Sequence, residues 1–171
     1  RYWRDWSSDV CSSDLMDDFS ISPGTPNAFG LVGSQANAVE PRKRPLSSMS
    51  PTIVLDPQGI PVLTVGAAGG PRIINATLQI LLRCLDGNLS VSQAVAAPRI
   101  HQQWRPDETL FEKEIGQGTE LEISNAIQQS LRQRGHSLKP SGALAVAQAI
   151  QRRGNKIMAA HDPRSHGSSA F

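Results

Sequence analysis

The spacing of apolar residues changes along this chain, and each change marks an element. Thr52-Ile53-Val54-Leu55 and Pro61-Val62-Leu63-Thr64-Val65 are short, mostly apolar runs separated by Asp56-Pro57-Gln58-Gly59. They predict a β-hairpin in a covered sheet, because the intervening residues are those that a tight turn favours. After Gly69-Gly70, positions Ile73, Ile74, Thr77, Leu78, Leu81, Leu82 and Leu85 recur at helical spacing, and Asp86-Gly87-Asn88 supplies a stop. A short helix is predicted from Ser90 to Ala97, capped by Ser90 and ended by Pro98. Thr109 to Glu112 reads as a strand. A further helix spans about Glu120 to Arg134, with Leu121, Ala126, Ile127 and Leu131 toward the core and Gly135 just past its end. From Ala143 to Gln151 alanine favours helix, yet Leu144, Val146, Gln148 and Ile150 alternate with small residues. With the Arg153-Gly154-Asn155 turn and Lys156 to Ala160 behind it, that stretch predicts a second hairpin.

Met16 to Pro51 carries no such period. Proline, glycine, asparagine and serine punctuate it, while Phe19, Ile21, Phe29, Leu31 and Val32 argue against disorder, so it reads as a long structured loop of the functional kind. The run from Asp5 to Leu15 equals the translation of a string resembling a widely used sequencing adapter. Residues 1–15 are therefore expected to be non-native and are set aside, leaving 16–171 as one partial domain. Nothing between Arg1 and Leu15 forms the apolar region of a signal peptide.

Composition narrows the function classes. A formal charge of +2 is too small to point to nucleic acid or an anionic membrane, which leaves a small polar ligand. The longest apolar patch, Ile73 to Leu85, is broken by Asn75, Gln79 and Arg83 and is no membrane segment. Cys11 and Cys84 make neither a disulfide framework nor a metal motif, and His101, His136, His161 and His166 lack ligand spacing. The Arg99 to Trp104 segment reads as packing around its tryptophan.

Three features invite a chemical reading. Asp17-Asp18 lie beside Phe19 in the loop; adjacent side chains diverge, so one of them is suited to an ammonium group, although solvated turns commonly look the same. Ser47 and Ser48 lie between Pro45 and Pro51, where hydroxyls can donate to a carboxylate or serve a polar turn. Gly66-Ala67-Ala68-Gly69-Gly70 joins a strand to a helix, either as a tight turn or as a place where backbone N–H groups approach an anion.

In order along the chain, Met16-Asp17-Asp18-Phe19-Ser20, Asn27 to Gly33, Lys43 to Thr52, the Gly-Ala-Ala-Gly-Gly-Pro-Arg-Ile run, Ala97-Pro98-Arg99 and Asp162-Pro163-Arg164 resemble γ-glutamyltranspeptidase, also called glutathione hydrolase. The resemblance covers Met16 to Arg164 and corresponds to the later part of the small subunit. It implies an α/β (α+β) fold, a fragment of the αββα four-layer sandwich of N-terminal-nucleophile hydrolases. It also implies hydrolysis and transfer of γ-glutamyl groups from glutathione and similar amides to water, an amino acid or a peptide, with no cofactor or metal. By the same resemblance Asp18 receives the glutamyl α-amino group, Ser47 and Ser48 hold its α-carboxylate, and Gly69 and Gly70 present N–H groups to the oxyanion. The loop from Pro23 to Gly33 is similar to the family's lid, with Phe29 where many bacterial members carry tyrosine, so a phenol hydrogen bond is lost.

The nucleophilic threonine of the family precedes the Met-Asp-Asp-Phe motif and is not in this chain. Nor is the large subunit, expected as partner, with its substrate-binding arginine; Leu15 stands where the family has glutamine. The chain alone is thus expected to be inactive, and the resemblance places the complete protein in the periplasm or outside the cell. A cephalosporin or glutaryl acylase of the same fold is the nearest alternative, disfavoured by Asp18 because a glutaryl group has no α-amino partner for it; a noncatalytic, truncated gene product is the other.

Overall fold

The two apolar runs of the first predicted hairpin pair as antiparallel strands β1 (Thr52–Leu55) and β2 (Pro61–Ala68). One carboxylate organises their turn: Asp56 Oδ1 accepts from the N–H of Gln58 at 3.0 Å and of Ile60 at 2.8 Å, while Gly59 takes φ 79°. In chain order follow α1 (Arg72–Leu85), α2 (Val91–Ala96), β3 (Ile100–His101), β4 (Thr109–Glu112), α3 (Asn125–Gln133), β5 (Leu138–Ser141), β6 (Val146–Arg153) and β7 (Lys156–His161). This computed structural model describes residues 18–113 and 123–165, and contacts divide the chain into two units, Arg1–Ser48 and Met49–Phe171. Residues 1–15, Asp17, Leu121 and His166 lie outside the described residues.

In the second unit, β1, β2, β6 and β7 form one antiparallel sheet in the order β1-β2-β6-β7. The predicted second hairpin is therefore β6 and β7, and it closes the sheet against β2. Its alternation resolves in favour of the small residues: Ala147 and Ala149 face the helices, together with Leu63, Val65 and Ala160. Against them pack Ile80 and Cys84 of α1 and Val91, Ala94 and Val95 of α2. Full burial of a side chain such as Ile80 contributes roughly 1.5–3 kcal/mol.

The opposite face of that sheet carries a row of partners, Ile53, Thr64, Ile150 and Ala159, one from each strand. Ile53 and Ile150 are exposed there. Helix α1 is divided in the same way. Ile73, Ala76, Thr77, Ile80 and Cys84 are buried, whereas Ile74, Leu78, Leu82 and Leu85 are exposed as a second apolar stripe. At its end Asn88 adopts φ 52°, and Leu89 N–H reaches the Arg83 carbonyl at 2.9 Å, so the predicted stop is the observed one. Helix α2 starts with a capping box in which Ser90 and Gln93 satisfy each other's backbone N–H.

A smaller sheet has the order β3-β4-β5, with β4 and β5 parallel. Parallel strands need a crossover, and α3 lies between them in sequence. Two expectations fail here. The last helix starts at Asn125, because Ser124 adopts φ −51°, ψ 145° and caps it. Ala126 and Ile127 are then solvent-facing, Ile127 at 52% exposure, and Gln128 is the buried residue, donating to the Ile123 carbonyl at 3.0 Å. The helix packs on β5, which among the described residues is the end strand of its sheet. Trp104 is not a packing centre either. It is 73% exposed with φ 71°, and the Arg105 guanidinium stacks 4.6 Å from its ring centroid.

Candidate active site

In the first unit a polar side chain builds the loop that periodicity could not describe. Asn27 Oδ1 accepts from the N–H of Phe29 and of Leu31, each at 3.0 Å, and its backbone bonds Leu31 and Gly30. Pro26 bridges Val32, and Gly24 N–H reaches the Gly33 carbonyl at 2.9 Å, which closes the predicted lid segment on itself. Gly33 lets the chain pass close to Ser20: a Cβ there would lie 2.7 Å from Ser20 Cβ and would force a shift.

Beneath this loop is a cavity of about 390 Å³, within the size range of small-ligand sites. Asp18, Asn27, Asn37 and Ser48 are among its lining residues, with Phe19, Leu31 and Leu46 supplying apolar wall. Of the residues singled out in the sequence, Asp18 and Ser48 meet at this cavity. Ser47 is exposed beside it, and neither Ser47 nor Phe29 is among the lining residues. One residue was missed. Asn37 Nδ2 donates to the Asp18 carbonyl at 2.6 Å, and its Oδ1 accepts from the Leu46 N–H at 3.2 Å. A lone asparagine in a loop gives no periodic signal, so only the fold brings it out.

The second unit holds the glycine pair. β2 runs on through Gly66, Ala67 and Ala68, so the turn itself is Gly69-Gly70-Pro71. Gly69 has φ 143° and Gly70 φ 59°, and a Cβ on Gly69 would lie 2.8 Å from Ala145 Cα. Their carbonyls accept from Arg72 and Ile73 to open α1, which leaves both N–H groups at a helix start.

Ala145, itself at φ 70°, is held by an ion network absent from the sequence reading. Arg99 donates to the carbonyls of Ala145 at 3.1 Å and Val95 at 2.9 Å and pairs with Asp162 at 2.8 Å. Arg164 pairs with Glu112 at 2.5 Å and Asp162 at 3.0 Å, and Glu112 accepts from Leu144 N–H at 2.7 Å. All four side chains are buried. Burial lowers the affinity of Arg99 for its proton, and the like charge of Arg164 adds to this. Burial alone would raise the Asp162 pKa, but Arg99 and the N–H groups of Ala147 and Arg164 hold it below the usual carboxylate value. The signal available in sequence was the pair of Pro-Arg steps, Pro98-Arg99 and Pro163-Arg164.

His101 is also buried. Asn75 meets its Nδ1 at 3.2 Å and Gln103 Oε1 its Nε2 at 2.7 Å, an arrangement suited to the neutral ring with its proton on Nε2. Burial lowers its pKa, and nearby Arg72 acts in the same sense. Among the described residues no cluster of His, Cys, Asp and Glu forms a metal site, and no helix is long and apolar enough to cross a membrane.

An α+β unit with helices over one face of an antiparallel sheet, and a glycine pair at its strand-to-helix turn, has the fold of the N-terminal-nucleophile hydrolases. The gamma-glutamyltranspeptidase family profile matches residues 10–171, and the chain belongs to that family. It is 43% identical over 159 residues to a glutathione hydrolase proenzyme of Escherichia coli (strain K12), covering 92% of this chain and 26% of that protein. Two solved structures align with a TM-score of 0.79. A Pseudomonas nitroreducens gamma-glutamyltranspeptidase complexed with L-DON is 39% identical over 92% of this chain and 79% of its own. A Helicobacter pylori gamma-glutamyltranspeptidase, solved as a point mutant, is 38% identical over 94% of this chain and 87% of its own. The chain thus spans about a quarter of the length of the curated proenzyme.

Proposed function

We propose that the full-length protein carrying this chain transfers the γ-glutamyl group of glutathione and related amides to water or to an amino-acid or peptide acceptor. The observation that carries this reading is the meeting of Asp18 and Ser48 at one cavity. A carboxylate and a hydroxyl from separate segments complement the α-ammonium and α-carboxylate of a glutamyl group, with Ser47 as a second hydroxyl beside them.

In this reading a threonine that begins the small subunit, upstream of the motifs described, attacks the γ-carbonyl carbon. Its own α-amino group takes the hydroxyl proton. The N–H groups of Gly69 and Gly70 meet the resulting oxyanion, each donor contributing about 3 kcal/mol in sites of this kind. Collapse breaks the C–N bond and passes the proton to the leaving amine. Water or an acceptor amine then cleaves the threonyl ester and restores the hydroxyl. The loop around Phe29 covers the pocket. The large subunit of the same precursor is the partner, the compartment is the periplasm or the exterior, and this chain without the threonine is inactive.

The test is release of 4-nitroaniline from its γ-glutamyl derivative by the full-length protein. Activity that falls on Asp18→Ala supports the reading. Turnover of a glutaryl anilide with none of the γ-glutamyl compound would overturn it in favour of an acylase.

A further inference from the structure

We infer that Asn37 is a positioning residue for glutamyl recognition, a clamp that fixes the distance between the amino-group anchor and the carboxylate anchor. The inference rests on the function proposed above. The two anchoring segments, at Asp18 and at Ser47-Ser48, are far apart in sequence, and neither belongs to one of the strands β1 to β7. One primary amide spans them. Its Nδ2 donates to the carbonyl of Asp18 itself at 2.6 Å, and its Oδ1 accepts from the N–H of Leu46, the residue before Ser47, at 3.2 Å.

The amide is in turn fixed by its backbone. Asn37 N–H donates to the Ser34 carbonyl at 3.0 Å in a 3-10 turn, Gln35–Asn37, and its carbonyl accepts from Ser20 N–H at 2.9 Å beside the Ser20–Ala38 bridge. Four bonds therefore hold a half-buried residue in the cavity wall. The amide has one workable orientation. A flip would set oxygen against the Asp18 carbonyl and N–H against the Leu46 N–H. Such a group does not touch the scissile bond, so it acts on how well the two charged ends of the glutamyl group are met at the same time.

The test uses the full-length protein and the γ-glutamyl 4-nitroanilide. Asn37→Asp is isosteric; it keeps the acceptor for Leu46 and turns the donor at Asp18 into a repelling oxygen. Its KM is expected to rise on the order of tenfold, the usual consequence of one lost hydrogen bond that leaves a polar group unmatched, with kcat changing far less. L-Glutamate and glutarate, used as competitive inhibitors, differ by the α-amino group, and their separation in potency narrows in the variant. Asn37→Gln, which keeps both functions on a longer stem, recovers part of the affinity. An unchanged KM and an unchanged inhibitor ratio in Asn37→Asp would overturn the clamp, as would equal loss through kcat alone. Failure of the isosteric variant to fold would also overturn it, by making Asn37 a folding residue. Absence of γ-glutamyl turnover in the unmodified protein is a separate result that removes the parent reading.

Discussion

Arg99 Nη2 and Asp162 Oδ2 lie 2.8 Å apart with both side chains at 0% exposure, joined across 63 positions of sequence. Around them Arg164 and Glu112 complete a network in which each charge has an opposite partner and backbone groups as well. A pair of this kind does little for stability when compared with an apolar core, but losing one member leaves a bare charge in the interior. Asp162→Ala is therefore expected to destabilise the protein by about 3–5 kcal/mol. Urea unfolding measures the loss, and a value below about 1 kcal/mol would contradict the burial described.

His101 gives stability a defined pH dependence. Its folded pKa lies below the ordinary value of 6.5, so between the two values the unfolded chain binds more protons than the folded one. The contribution is then present in full above pH 6.5 and is lost as pH falls through the folded pKa. His101→Gln, which cannot charge, is expected to flatten the unfolding free energy below that pH. An equally steep profile in the variant would assign the slope to other groups.

Gly69→Ala tests the turn at the start of α1. A methyl would meet Ala145 Cα at 2.8 Å, from a φ of 143° that side chains rarely adopt. The expected cost is roughly 1–3 kcal/mol in stability, with turnover falling by more than tenfold if the Gly69 N–H faces the oxyanion. Gly70→Ala has a φ of 59°, which alanine reaches more cheaply, so it separates the steric effect from the loss of alignment.

Ser90→Ala removes half of the capping box of α2 and should lower stability by about 1 kcal/mol. Thermal denaturation follows the change. If the proposed function holds, kinetic constants for γ-glutamyl cleavage by the full-length protein are expected to stay near those of the unmodified protein, because the side-chain bonds of Ser90 go to Gln93.

Periodicity made the first hairpin, α1, α2, β4 and the second hairpin readable, since each carries a regular apolar pattern with a glycine, proline or cap at its end. β5 was not readable, because Pro140 lies in it; among the described residues this strand is at the end of its sheet, where proline is tolerated. Ile127 misled for a related reason, as apolar spacing says that a face exists but not whether anything covers it. At the site, motif resemblance singled out Asp18 and Ser48, which the fold then gathers at one cavity. Asn37 and Glu112 escaped because their roles lie in bonds between distant segments, and Arg99, Asp162 and Arg164 stood in motifs whose pairing only the fold shows.

Ala147 and Ala149 set a spacing. Both are buried in the cluster that holds Val91, Ala94 and Val95 of α2, and the carbonyls of Val95 and Ala97 at the end of that helix are those that Arg99 and Arg164 grip. The thickness of an apolar layer and the geometry of an ion network therefore share a single tolerance. A larger side chain on β6 would act as a wedge under the helix, and the misfit would be felt first by the arginines.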